Sequence, residues 1–135
     1  MPWLDNYIPN QQWLSYSKKV RTQKETRIKL FKLTLKQWQK HFEFNIQSSP
    51  DKVEHWPILI NTKCHCGVWI KRAKEDLLLE ENHLKILESH HNSMHTIADN
   101  LFNKYQKGEF DAARDGLTLL KTAFEKITNV LEQCE

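Results

Sequence analysis

The stretch LKILESHHNSMHTIADNLFNKY, Leu84 to Tyr105, decides the fold. Its apolar residues fall at Leu84, Leu87, Met94, Ala98, Leu101, Phe102 and Tyr105, in steps of three and four that place them on one side of a helix. His91 and His95 stand inside that stripe, one turn apart, whereas His83 and His90 point elsewhere on the same helix. Imidazoles at i and i+4 project to the same side and can share one metal ion. Buried without a metal, each would need its own hydrogen-bond partner. An HxxxH pair alone is a weak motif, so its weight depends on what the rest of the chain brings to it.

Working outward, the last helix is expected from Phe110, after Gly108, which has the place of a helix-ending glycine. Phe110, Ala113, Leu117, Leu120, Phe124, Ile127, Leu131 and Cys134 keep the same narrow spacing, which suits a helical bundle or a helix pair across a dimer. On the other side, Lys24 to Gln47 predicts a long helix with a seam of Ile28, Phe31, Leu35, Trp38, Phe42 and Asn45, with His41 at the seam's edge. Ser48-Ser49-Pro50-Asp51 stops that helix and starts a short one, with Ser49 at the N-cap and Pro50 in the first position, and Pro57 interrupts it. Residues 1–22 form a separate aromatic and basic extension with little helical period, carrying Trp3, Tyr7, Trp13 and Tyr16. Those aromatics either pack back on the domain or dock a partner.

With 135 residues, 3 glycines and 4 prolines, the chain suits one helical domain, residues 23–135, that needs no disulfide staples. The expected architecture is all-α, an antiparallel four-helix-bundle-like domain with short extra helices around Cys64. No apolar run approaches the ~20 residues of a membrane span, and the start is not a signal peptide, so a cytoplasmic protein is expected. Between Lys18 and Lys40 there are nine bases and one acid, a local +8, so the rest of the chain carries −5 within the overall +3. A solvated face, or a complement to the acidic remainder or a partner, is the favoured reading. No nucleic-acid motif accompanies these charges, and no nucleic acid is expected as a partner.

Cys64-His65-Cys66-Gly67-Val68-Trp69 supplies the chemistry that the histidines lack. A thiolate is a strong zinc ligand, the glycine lets backbone pass close to a neighbour, and Trp69 is placed as a packing anchor. Two sulfurs at Cys64 and Cys66 could instead hold copper(I) or zinc, as in a metal carrier.

Cys64-x-x-Gly67-x-Trp69, followed by His91-x-x-x-His95 and preceded by a helix with His41-Phe42-Glu43-Phe44, resembles the chemoreceptor zinc-binding (CZB) domain family. The Gly108-Glu109-Phe110-Asp111-Ala112-Ala113 turn into the last helix fits the same pattern. The likeness runs from about residue 24 to the end. It implies zinc held by His41, Cys64, His91 and His95, and redox sensing at Cys64, where oxidation of the zinc-bound cysteine by hypochlorous acid changes helix packing. The interval from His41 to Cys64 is short for that family, which makes His55 a competing first ligand. Cys66 stands where a plain apolar residue is usual, and Val68 where a basic one is usual.

The expected function is therefore a zinc-binding sensory or regulatory module, not an enzyme. With four protein ligands no position is left for a reactive water, and no phosphate loop or nucleophile–base pair accompanies the site. Glu88-x-x-His91 is only one of the pairs that a carboxylate-bridged iron site would need. Without a receptor, methyl-accepting or cyclase segment, the output is expected through a signalling partner in trans, with a homodimer plausible from the bundle seams. The alternatives are a metal-free structural adaptor and the CxC carrier.

Overall fold

A computed structural model describes residues 10–134, with side chains described from residue 22. The described chain folds into helices alone: α1 (Asn10–Gln47), α2 (His65–Glu75), α3 (Glu81–Gln106), α4 (Phe110–Asp115) and α5 (Leu117–Gln133). A single 3-10 turn, Pro50–Lys52, follows α1. Among the described residues no helix is long and apolar enough to cross a membrane.

Helix α1 begins earlier than the periodicity predicts, at Asn10 rather than Lys24, and continues unbroken across the expected boundary at residue 22. Helix formers such as Gln11, Gln12, Leu14, Lys18, Lys19 and Arg21, with no glycine or proline among them, are sufficient reason. The expected roles of Trp3 and Tyr7, and of the Trp13 and Tyr16 side chains, lie outside the described residues.

The long helices alternate in direction. Arg27 pairs with Asp76 at the end of α2, whereas Trp38 and His41 share a cavity with Cys64 at its start, so α1 and α2 are antiparallel. Tyr105 near the end of α3 donates its hydroxyl to the Ser48 carbonyl just past α1, so α1 and α3 run the same way. Arg114 donates to the Ile46 carbonyl, and Trp38 meets Phe124 further up, so α5 returns antiparallel. The result is an up-down-up-down bundle. Helix α3 touches every other helix, as its wide apolar stripe requires. The seam residues Ile28, Phe31, Leu35, Trp38, Phe42 and Asn45 are buried, as are Leu84, Leu87, Met94, Ala98, Leu101 and Tyr105 of α3. In the last segment Ala113, Leu120, Phe124, Ile127, Leu131 and Cys134 are buried. Cys134 donates its thiol to the Val130 carbonyl, so it is a core side chain.

Two helix ends use the same device. Gly108, at φ 83°, ends α3 with bonds from its own N–H to Tyr105 and from Glu109 N–H to Lys104, a Schellman closure. Leu77, at φ 51°, ends α2 in the same way, with bonds to Lys74 and, from Leu78, to Ala73. A leucine carries the left-handed penalty of ~1 kcal/mol that glycine escapes, and at 82% exposure its side chain gains little packing in return. Leu77→Gly is therefore expected to stabilise the protein by about 0.5–1 kcal/mol, read as a higher denaturant midpoint at unchanged slope.

The connection from α1 to α2 positions the site. Ser49 has the extended backbone of an N-cap but makes no side-chain cap bond, and the expected short helix is only the Pro50–Lys52 turn. Past it, Val53–Ile60 forms neither helix nor strand, since Pro57 cannot join a helical ladder. This strap climbs back along α1. Its carbonyls, unused by any ladder, accept side-chain donors from the bundle: His55 from Asn45 and His41, Ile58 from Trp38, Leu59 from His95. Trp56 pins it by edge contacts to Phe42, Phe102 and Tyr105.

Candidate metal centre

Cys64, His91 and His95 come together in the dry interior, 1%, 2% and 3% exposed. One donor atom from each lies within 4.8 Å of the other two. The two histidines reach the site from adjacent turns of α3, and the sulfur comes from the residue that caps the start of α2. That position is favourable for a thiolate, because the first amides of a helix carry partial positive charge.

The hydrogen bonds fix which nitrogens are free. His95 Nδ1 lies 2.8 Å from the Leu59 carbonyl oxygen, which can only accept, so Nδ1 bears the proton and Nε2 presents a lone pair. A backbone carbonyl holding the outer nitrogen is the usual support of a metal-binding imidazole. His95 Nε2 lies 3.1 Å from His91 Nε2. Zn–N bonds of about 2.0–2.1 Å would place two nitrogens of a tetrahedron about 3.3 Å apart, so the pair is already near the spacing that one ion demands. Trp38 sets its ring edge-on to His95 at 5.3 Å and limits its rotation.

The sulfur is held charged. Hydrogen bonding from the Cys66 thiol, and then from His91, pulls the Cys64 thiol far below its ordinary value against the opposing effect of burial. Cys66 moves the other way, since its proton is shared with Cys64, its surroundings are dry and a neighbouring thiolate opposes a second charge. For Cys64, lowered on folding, the stabilisation is present above the unfolded thiol value and lost as pH falls through the folded one. For Cys66, raised on folding, it is present below the unfolded value and lost as pH rises through the folded one. The two sulfurs thus hold one proton through the neutral range. In protein stripped of metal, the ultraviolet absorbance of one thiolate is expected to stay constant from about pH 5 to pH 8 and to vanish in Cys64→Ser.

Cys64, His91 and His95, all expected as ligands, are brought together; His41 stands apart from that group. It is half-buried on α1, with Nε2 3.0 Å from the His55 carbonyl. That carbonyl again makes Nε2 the protonated nitrogen and leaves Nδ1 with a lone pair. His41 lines a cavity of about 260 Å³ that also reaches Cys64, between α1 and the strap. His55, the competing candidate, is exposed and supplies its carbonyl, with its ring 5.7 Å from that of His41. Gly67 does let backbone pass: a Cβ there would lie 1.9 Å from the Asn61 carbonyl oxygen and 3.3 Å from His91 Cε1. Trp69 anchors α2 to α1 by donating to the Arg27 carbonyl and by an edge contact with Phe31 at 4.7 Å.

Sequence reasoning missed the strap carbonyls. Pro57 signalled a break in helix, but which carbonyl meets which ring depends on tertiary packing. No protein-family model, curated protein or solved structure matches this chain. The likeness to the CZB family therefore rests on the residues quoted above.

Proposed function

We propose that this chain is a zinc-binding sensory or regulatory module of CZB type, acting without catalysis. The observation that carries the reading is the buried Cys64–His91–His95 group with the His95 tautomer fixed by Leu59. A thiolate with imidazoles favours zinc over oxygen-seeking cations. His41, whose Nδ1 is left free by the His55 carbonyl, is the fourth ligand in this reading and closes the tetrahedron. A closed site suits a structural or sensing role.

Ligands from α1, α2 and α3 would make zinc a clamp between helices, so that binding energy becomes bundle stability. Loss of zinc, or attack on the Cys64 thiolate by an oxidant such as hypochlorous acid, would release that clamp and alter helix packing. The altered bundle, as a homodimer in the cytoplasm, would signal to a partner protein in trans. The carrier reading is disfavoured by burial, since Cys64 and Cys66 are each 1% exposed and a carrier must offer its sulfurs to a recipient.

Thermal unfolding with and without chelator tests this coupling. A ligand held at 1,000 times its dissociation constant stabilises by ~4 kcal/mol. For a chain of this size chelation should therefore lower Tm by roughly 10–15 °C, and added zinc should restore it. An unchanged Tm in a protein purified without zinc would overturn the proposal and leave a metal-free adaptor.

A further inference from the structure

Cys66 is the buried nucleophilic group that the metal site does not use. Its thiol is a hydrogen-bond partner of the Cys64 sulfur two residues away, yet it is not among the three donor atoms that converge within 4.8 Å. Residues two apart on a helical turn have Cα atoms about 5.5 Å apart, inside the range of roughly 4.4–6.8 Å that a disulfide spans. Both thiols are free. Access is one-sided: the cavity of about 260 Å³ walled by Trp38, His41, Trp56 and Ile58 reaches Cys64, and Cys66 does not line it.

We propose that Cys64 and Cys66 form a dithiol–disulfide centre, with Cys64 the sulfur attacked first and Cys66 the resolving thiol. The proposal rests on the metal-site reading and adds its regulation. A two-electron oxidant of the peroxide class enters by the cavity. The Cys64 thiolate attacks one peroxide oxygen, the O–O bond breaks, and Cys64 becomes a sulfenic acid while hydroxide leaves. The Cys66 sulfur then attacks the Cys64 sulfur, the S–O bond breaks, and the sulfenic oxygen leaves as water with the Cys66 proton. In sum one thiolate and one thiol are oxidised to one disulfide, and one peroxide is reduced to one water and one hydroxide, which takes its proton from solvent. The disulfide removes the negative charge from Cys64, so the sulfur ligand is lost in a form that a dithiol reductant can restore. Without Cys66, oxidation would continue to the sulfinic acid, which such reductants do not reverse.

The test treats the zinc-loaded full chain with hydrogen peroxide and follows zinc release with an indicator and the cysteines by alkylation and mass spectrometry. In the wild type, the expected product is a peptide with Cys64 linked to Cys66, zinc released, and both effects reversed by dithiothreitol. In Cys66→Ala and Cys66→Ser, Cys64 should accumulate as sulfinic acid and zinc rebinding should fail after reduction. Sulfinic acid at Cys64 in the wild type with Cys66 still alkylatable would overturn the proposal, as would a disulfide to Cys134. Zinc missing from the unoxidised Cys66 variants would also overturn it, by making Cys66 a ligand. Zinc missing from the unoxidised wild type would instead overturn the metal reading. The linked peptide can be scored in that protein too, so the two failures remain distinct.

Discussion

His95→Ala is expected to reduce zinc from about one ion per chain to near none, measured by elemental mass spectrometry on protein purified without an affinity tag. It should also destabilise the metal-stripped protein by about 3–5 kcal/mol. The second effect follows from what the imidazole touches. Its removal leaves the Leu59 carbonyl without its donor, takes away the partner of His91 Nε2 and opens space beside Trp38 in a region with almost no solvent. An unpaired buried polar group costs ~1–3 kcal/mol, more where a charge is concerned, and the cavity adds to it. His41→Ala provides the contrast. His41 lies at the edge of the site, outside the three-donor group, so its loss should weaken zinc binding while leaving the stripped bundle nearly as stable as before. Equal zinc content in wild type and His95→Ala would remove His95 from the site.

Gly67→Ala should be nearly as damaging, although it adds only a methyl group and although alanine is the better helix former by ~1 kcal/mol. The new Cβ would lie 1.9 Å from the Asn61 carbonyl oxygen and 3.1 Å from its carbonyl carbon, both backbone atoms that no rotamer change can move away. Relief requires α2 to shift from the strap end at Asn61, and the first turn of α2 carries the site's sulfur. Overpacking of this kind costs ~1–3 kcal/mol and outweighs the helix propensity gained. Stability should fall by about 2 kcal/mol, with zinc affinity reduced at least tenfold because Cys64 moves with its helix. A Gly67→Ala protein as stable as wild type would show that α2 and the strap are not in close contact at this point.

Much of this architecture is legible in spacing alone. The stripe from Leu84 to Tyr105 and the seam from Ile28 to Asn45 are buried where three-and-four periodicity puts them, because amphipathic helices in a small bundle have only one apolar face to hide. The His91–His95 pair follows from the same period, whereas thiolate chemistry left Cys64 and Cys66 both open and only the family resemblance pointed to Cys64. What spacing does not contain is the path of Val53–Ile60. An irregular strap has no period linking it to the helices, and its effect on the site comes through carbonyl oxygens that every residue shares. For that reason Leu59 and His55 contribute backbone, and His41 is tethered to the strap outside the three-donor group. The early start of α1 was hidden for a different reason, since helix propensity without an apolar stripe gives no periodic signal. The hydrogen bond between Cys66 and Cys64 was foreshadowed by the CxC spacing, but that Cys66 stays outside the three-donor group required the fold.

The proposed site holds one zinc ion through Cys64, His91 and His95, with His41 completing the set. X-ray absorption at the zinc edge of the purified protein tests it most directly. One sulfur at about 2.3 Å and three imidazole nitrogens at about 2.0–2.1 Å are expected. Two or more sulfurs, or a shell of oxygens without imidazole scattering, would contradict it.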